Sequence, residues 1–274
     1  MSKIGLCLSG GGARGPYQVG AVKALEEMGI MDKITCYAGT SIGSVNSCLV
    51  SSGGSAYALE AWNSVNSEIV VQTEHFISLL IKERSNIVEK GCFQIDAFQK
   101  ALMKVLQPEK IRGKHVYATI SDGGAVSTGF FGLMRANYEH FIKLDSKVAY
   151  VPLDNETDEE IRKTVMASCS IPFVFPPVRI DGHNYYDGGL YDNIPLTPLV
   201  ANGCDKAIVV NLNRFDYLER DKYPELKIIE IKHSRLLGSV LKFDSERCRQ
   251  LYELGYEETK KTIDPLILSD FLEE

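Results

Sequence analysis

Two kinds of apolar spacing alternate through the first fifty residues. Residues 3–8 form a short apolar run, broken by Ser9 and by Gly10, Gly11, Gly12 and Gly15. Val19, Val22, Leu25 and Met28 then recur every third position, the spacing of one helix face. Pro16 sits where a first helical residue tolerates proline, and Gly29 supplies the stop. The same order follows at once. Ile34 to Ala38 reads as a strand, Gly39-Thr40-Ser41-Ile42-Gly43 as a sharp turn, and residues 42–52 as a small-residue helix ended by Gly53-Gly54. Two successive strand–loop–helix units predict an α/β fold with three layers, helices covering both faces of a mainly parallel central sheet.

The pattern is less regular further on. Residues 55–113 are more polar, carry no obvious strand, and read as a helical insertion or cap. Strand patterns return at His115–Ile120, Phe141-Ile142 and Val148–Val151. An acidic stretch from Asp154 to Glu160 leads into a helix over 159–169, with Pro172, Pro176 and Pro177 beyond it. Val178-Arg179-Ile180 and His183-Asn184-Tyr185-Tyr186 flank Asp181-Gly182, a type I′ hairpin signal. Lys206–Asn211 and Leu226–Ile231 are two more buried strands, and an amphipathic helix closes the chain over 241–263. No repeat, low-complexity tract or linker interrupts residues 1–274, so one domain is the expectation.

Composition narrows the classes. A chain that is 45% hydrophobic and 24% charged has the balance of a globular enzyme with a substantial core, not that of a disordered tail. A net charge of −6 disfavours nucleic acid as the main partner. The seven cysteines are scattered and contain no C-x-x-C pair, which argues against a zinc site or a disulfide framework and for a reducing, cytoplasm-like compartment. No apolar leader precedes residue 4, and no stretch approaches the ~20 apolar residues of a span, so any lipid contact is expected to be peripheral.

Two motifs carry the candidate chemistry. Gly10-Gly11-Gly12-Ala13-Arg14-Gly15 lies between a strand and a helix. A dinucleotide site would want an acidic residue near the end of the second strand, where Tyr37-Ala38-Gly39 stands instead. A phosphate loop would want Lys after Gly15, where Pro16 stands. The third reading is an oxyanion hole: backbone N–H groups at a helix N-terminus converge on developing negative charge, with Arg14 adding cationic character. A tight turn without a ligand is the plainer alternative. Gly39-Thr40-Ser41-Ile42-Gly43 is G-x-S-x-G in the strand-to-helix context that a nucleophile elbow requires.

A serine nucleophile needs a proton acceptor. Among His75, His115, His140, His183 and His233, only His233 follows the candidate acids as a Ser–acid–His order would demand, and no turn presents it. His183 reads as an exposed hairpin residue. Asp181 is explained by its turn and Asp192 by a turn or helix cap, whereas Asp187 ends a strand ahead of Gly188-Gly189 without a local role.

Taken together the motifs resemble patatin-like phospholipases. The glycine loop, the Ser41 elbow, Ala167-Ser168-Cys169-Ser170-Ile171-Pro172-Phe173-Val174-Phe175 and Asp187-Gly188-Gly189 with Asp192-Asn193-Ile194-Pro195 stand in the family's order over residues 4–195. The tail from Leu241 to Thr259 is similar to the closing helix of bacterial members, and residues 55–113 are least alike. The resemblance implies a Ser41–Asp187 dyad without histidine, an acyl-enzyme on Ser41, and an oxyanion held by Gly10, Gly11, Gly12 and Arg14, with Gly15, Gly39, Gly43, Gly188 and Gly189 in support. It implies no metal and no cofactor, and lipid acyl esters (phospholipids, lysophospholipids or glycerides) as substrates. An ordinary carboxylate, with a pKa near ~3.9, is a weak base for a hydroxyl, so burial is expected to raise Asp187. The remaining readings are a nucleotide-binding protein that uses the glycine loop, a Ser–His–Asp esterase with His233, and a scaffold without activity. Gly129-Phe130-Phe131-Gly132-Leu133-Met134 is a candidate lipid-facing patch, with a core strand as its alternative.

Overall fold

The structure, a computed structural model, describes residues 2–82, 101, 104–123, 148–172, 175–240 and 243–273, with side chains left out over 66–82. Phe141-Ile142, the patch at 129–134, and Phe173, Val174 and Leu241 lie outside the described residues.

The opening repeat folds as its spacing dictates. Strand β1 (Ile4–Leu8) leads through the glycine loop to helix α1 (Pro16–Glu27), with Pro16 at its first position. Strand β2 (Ile34–Thr40) leads through Ser41 to α2 (Ile42–Lys82). Gly53 and Gly54 break α2 with non-helical dihedrals, where the small-residue pattern ends. Beyond the kink, Ala58, Ala61 and Trp62 are buried in the main core, so the start of the 55–113 segment belongs to the centre of the fold. The described part of that segment contains helical turns and no strand.

The later strands are β3 (His115–Asp122), β4 (Val148–Pro152), β5 (Val178–Ile180), β6 (His183–Asp187), β7 (Lys206–Asn211) and β8 (Lys227–Lys232). They join β1 and β2 in one mixed sheet. Strands β3, β2, β1, β7 and β8 run parallel, as the βα units require, and β4, β5 and β6 are antiparallel additions. Asp181 and Gly182 both have positive φ, as a type I′ turn requires. Helix α3 (Asp158–Ser168) starts at a capping box between Thr157 and Glu160. The short α4 (Thr197–Ala201) follows β6, and α5 (Ser245–Thr262) and α6 (Pro265–Leu272) close the chain.

Side-chain alternation makes the three layers. Ile4, Leu6, Leu8, Ile208 and Val210 face a core shared with α1, α2 and α5. Cys7, Ala38, Ala207 and Val209 face the opposite core, closed by Leu196 and by Leu199 of α4.

Strand β3 aligns the two halves of the site. Residues 117–119 of β3 pair with both β2 and β4, so these flank β3 on opposite sides. Ile120 and Ser121 pair with both β4 and β6, so β6 shares the side of β2. Strands β2 and β6 therefore meet end to end along β3. Thr40 is opposite Thr119, and Asp187 is opposite the next residue, Ile120.

Candidate active site

Ser41 sits at the junction of β2 and α2 with φ +54°, a left-handed conformation uncommon for a residue with a side chain. The neighbours that enforce it explain the two glycines. A Cβ on Gly39 would lie 2.2 Å from the Gly43 carbonyl oxygen, and one on Gly43 would lie 2.0 Å from that of Leu8. The elbow thus turns tightly enough to bring backbone against backbone. Two hydroxyls brace it: the Ser41 N–H donates to Ser168 Oγ at 2.9 Å, and Ser168 Oγ donates to the Thr119 carbonyl at 2.7 Å.

The end-to-end meeting of β2 and β6 delivers Asp187 to this turn. Its N–H donates to the Ser170 carbonyl at 3.0 Å, and its own carbonyl accepts from Ser121 Oγ at 3.0 Å. Its carboxylate accepts from the Gly189 N–H at 2.8 Å, and the Ser41 side chain is near enough to favour its charged form. Both residues are only 6% exposed. Burial pushes the Asp187 carboxyl up to about 6, against the opposing pull of the nearby Ser41 side chain and of the hydrogen bond from the Gly189 N–H. A carboxylate in that range is a far better proton acceptor at neutral pH than an exposed one.

The sequence reading puts Gly10, Gly11, Gly12 and Arg14 on the oxyanion; the geometry divides them. The loop lies against the elbow, since a Cβ on Gly10 would be 3.3 Å from Ser41 Cβ. The Gly10 N–H, however, is engaged by Asn193, at 3.1 Å to Oδ1 and 3.3 Å to the carbonyl. The N–H of Arg14 bonds to Gly11 O, and that of Gly15 to Gly12 O. The Arg14 guanidinium donates to the carbonyls of Gly238 (2.8 Å) and Leu212 (3.1 Å), tying the loop to the segments after β8 and β7. The N–H groups of Gly11 and Gly12 have no acceptor among the described residues.

Asn193 and Ser168 are contributors that the sequence reading passes over. Both lie inside quoted motifs, but spacing does not say where an amide or hydroxyl points. The Asn193 amide also donates to Asp216, which is held by Asn213 as well. Asp192 caps its own turn by accepting from the Ile194 N–H and from the Tyr150 hydroxyl, while Thr40 Oγ1 donates to its carbonyl.

His233 is buried with Nδ1 2.6 Å from the Arg235 carbonyl and its ring edge-on to Tyr17, 6.2 Å away. None of these contacts reaches Ser41 or Asp187. His183 is exposed on the hairpin, as expected, and His115 is exposed at the start of β3. Neither the His75 side chain nor His140 is among the described groups. No group of three or more His, Cys, Asp or Glu among the described residues is arranged to hold a metal ion. Six cysteines are buried thiols, and Cys92 lies outside the described residues.

Comparison with known proteins matches this arrangement to a family. The family model for patatin-like phospholipases matches residues 6–200, which hold all the motif residues above. Lysophospholipase NTE1 of Kluyveromyces lactis is 26% identical over 222 residues, 78% of this chain and 13% of the relative. An uncharacterized NTE family protein of Mycobacterium bovis is 26% identical over 211 residues, 77% of this chain and 49% of the relative. The chain thus spans a small part of the fungal relative and about half of the mycobacterial one. Among solved structures, VipD from Legionella pneumophila shares the fold, with a TM-score of 0.51 at 13% identity over 95% of this chain and 66% of that one.

Proposed function

The chain belongs to the patatin-like phospholipase family, and from that membership we propose that it hydrolyses acyl esters of lipids through Ser41 and Asp187. The observation that carries the reading is a buried carboxylate, raised to about 6, beside a buried serine on a strained elbow. Ser41 Oγ attacks the ester carbonyl carbon as its proton passes to Asp187. The Gly11 and Gly12 N–H groups stabilise the tetrahedral oxyanion. Collapse expels the alcohol, which takes the proton from Asp187 and leaves an acyl-enzyme. Asp187 then draws a proton from water, which attacks the acyl carbonyl; collapse of that second tetrahedral intermediate breaks the bond to Ser41 Oγ, which takes the proton back from Asp187 as the fatty acid leaves. No step calls on a metal or a cofactor.

We take lysophospholipids first among the candidate substrates, with phospholipids and glycerides behind, a ranking supported by the name of the fungal relative. Product analysis on a panel of these esters tests the reading. Fatty acid release by the wild type is the expected result; no release from any member overturns it. Binding of ATP or NAD in a thermal-shift assay would favour the nucleotide reading, against which Pro16 and Gly39 already stand.

Lipid esters sit in membranes, and the rim of the site offers a means of contact. No helix among the described residues is long and apolar enough to cross a membrane. On the loops after β7 and β8, Phe215 (84%), Tyr217 (78%) and Leu236 (71%) are largely exposed. Arg214 Nη1 donates to the Ser234 carbonyl and joins the two loops, and Asp216 connects them through Asn193 to the glycine loop. We place the protein in the cytoplasm with peripheral contact through these side chains. Binding to neutral vesicles is expected to be modest and nearly unchanged by salt, because apolar insertion is not screened. Sedimentation should show a several-fold lower bound fraction for the Phe215→Ser, Leu236→Ser double variant. Binding that collapses in high salt would contradict this.

A further inference from the structure

The Asn193 amide lies where nucleophile, acid and glycine loop come together. A Cβ on Gly10 would be 2.3 Å from Asn193 Oδ1 and 3.3 Å from Ser41 Cβ. A Cβ on Gly189 would be 3.1 Å from the same amide oxygen and 3.1 Å from Asp187 Oδ1. Glycine on both flanks is what lets a single side chain reach all three. Asn193 Oδ1 accepts from the Gly10 N–H at 3.1 Å. The Gly10 carbonyl is held on the same side, by Asn193 Nδ2 at 3.5 Å and Ser9 Oγ at 3.3 Å. In a planar trans peptide the C=O and the following N–H point in opposite directions. Fixing the Gly10 carbonyl toward Asn193 therefore aims the Gly11 N–H away from it.

Asp216 decides which way the Asn193 amide faces. Asn193 Nδ2 donates to Asp216 Oδ2, and Asn213 Nδ2 donates to Asp216 Oδ1. An ionised carboxylate only accepts, so it selects the NH₂ end of the amide and leaves Oδ1 to Gly10. Asp216 is anchored in turn: its N–H donates to the Asn213 carbonyl at 3.2 Å, and its carbonyl accepts from Lys232 Nζ at 3.1 Å. A line of hydrogen bonds thus runs from the loop after β7, through the turn after β6, to the peptide between Gly10 and Gly11.

We propose that Asn193, oriented by Asp216, is a positioning residue for the ester chemistry, holding the Gly10–Gly11 peptide so that the loop presents its free N–H groups to the oxyanion. The inference rests on the hydrolase reading for the reaction it serves. Asn193→Ala should lower kcat by about 10²-fold and change KM by no more than about twofold, since a misaimed donor weakens the transition state rather than ground-state binding. Asn193→Asp sets a carboxylate against Asp216 and should cost at least as much. The double variant Asn193→Asp, Asp216→Asn keeps every bond of the line with one donor and acceptor exchanged, so it should recover at least about tenfold over Asn193→Asp alone. The new carboxylate near Asp187 should also move the acid limb of kcat/KM upward, so these rates are compared on the alkaline plateau. Amide hydrogen exchange reads the same hold without catalysis. The Gly10 N–H should exchange several-fold faster in Asn193→Ala, where only the 3.3 Å bond to the residue 193 carbonyl remains, and slowly again in the double variant. Thermal melting verifies that each variant is folded. A folded Asn193→Ala protein with wild-type kcat, unchanged Gly10 exchange, or a double variant no more active than Asn193→Asp overturns the proposal. Should Asn193→Ala not fold, the comparison of Asn193→Asp with the double variant decides. Failure of the hydrolase reading would show instead as an inactive wild type.

Discussion

Ser41→Ala should lower ester turnover by on the order of 10⁴–10⁶-fold and abolish labelling by a fluorophosphonate probe. The magnitude follows from the role proposed for the side chain. Without Oγ no acyl-enzyme forms, and water must attack directly with only the loop donors to assist. The fold should tolerate the change. The left-handed backbone at Ser41 is enforced by Gly39 and Gly43, and the brace from Ser168 uses the Ser41 N–H, which alanine retains. The melting temperature should therefore move little while activity disappears. A folded Ser41→Ala protein that keeps more than a small fraction of wild-type turnover, or still reacts with the probe, would remove Ser41 from the mechanism. It would reopen the readings in which the glycine loop binds a nucleotide or the domain only binds.

Asp187→Asn should do two things of opposite sign. Turnover should fall by about 10³–10⁴-fold, because the amide cannot accept the serine proton. Stability, by contrast, should rise at neutral pH. In the folded protein the Asp187 carboxyl titrates at about 6, against an ordinary 3.8. Between those values the folded state keeps a proton that the unfolded state has released, so stability falls as pH rises through that window. The full penalty is present above about 6 and absent below 3.8. The difference is about two pH units at about 1.4 kcal/mol each, which bounds the gain from asparagine at about 3 kcal/mol. For a domain of this size that corresponds to a rise of several degrees in Tm at pH 7, and none at pH 3.5. In the wild type, kcat/KM should fall about tenfold per pH unit below about 6 as Asp187 protonates. The residual rate of Asp187→Asn should lack that limb. Survival of the limb in the variant, or loss of most activity in His233→Ala, would point to another base.

The first two strand–loop–helix units, the break at Gly53-Gly54, the Asp181-Gly182 hairpin and the terminal helix were all readable from local spacing. Each is set by interactions within a few residues: helical periodicity, a glycine stop, a turn that demands positive φ. The elbow was readable for the same reason, since the Gly39 and Gly43 clashes arise within one tight turn and with the adjoining strand. Asp187 stood out because its hairpin left it without a local purpose. The oxyanion loop was readable as a loop but not donor by donor. Asn193 comes from a distant segment to occupy the Gly10 N–H, and Arg14 is drawn to the carbonyls of Leu212 and Gly238.

Local order along the chain is thus sufficient for the α/β layering, the serine on its turn and the acid at its strand end, because period and turn chemistry are properties of neighbouring residues. Long-range assembly supplies what makes them one site. Strand β3 takes β2 and then β6 along the same side, so that Thr40 and Asp187 fall opposite consecutive residues. No spacing encodes that, since it depends on which strands pair across the sheet. Burial of Asp187, which raises its carboxyl toward neutrality, is likewise a property of everything packed around it.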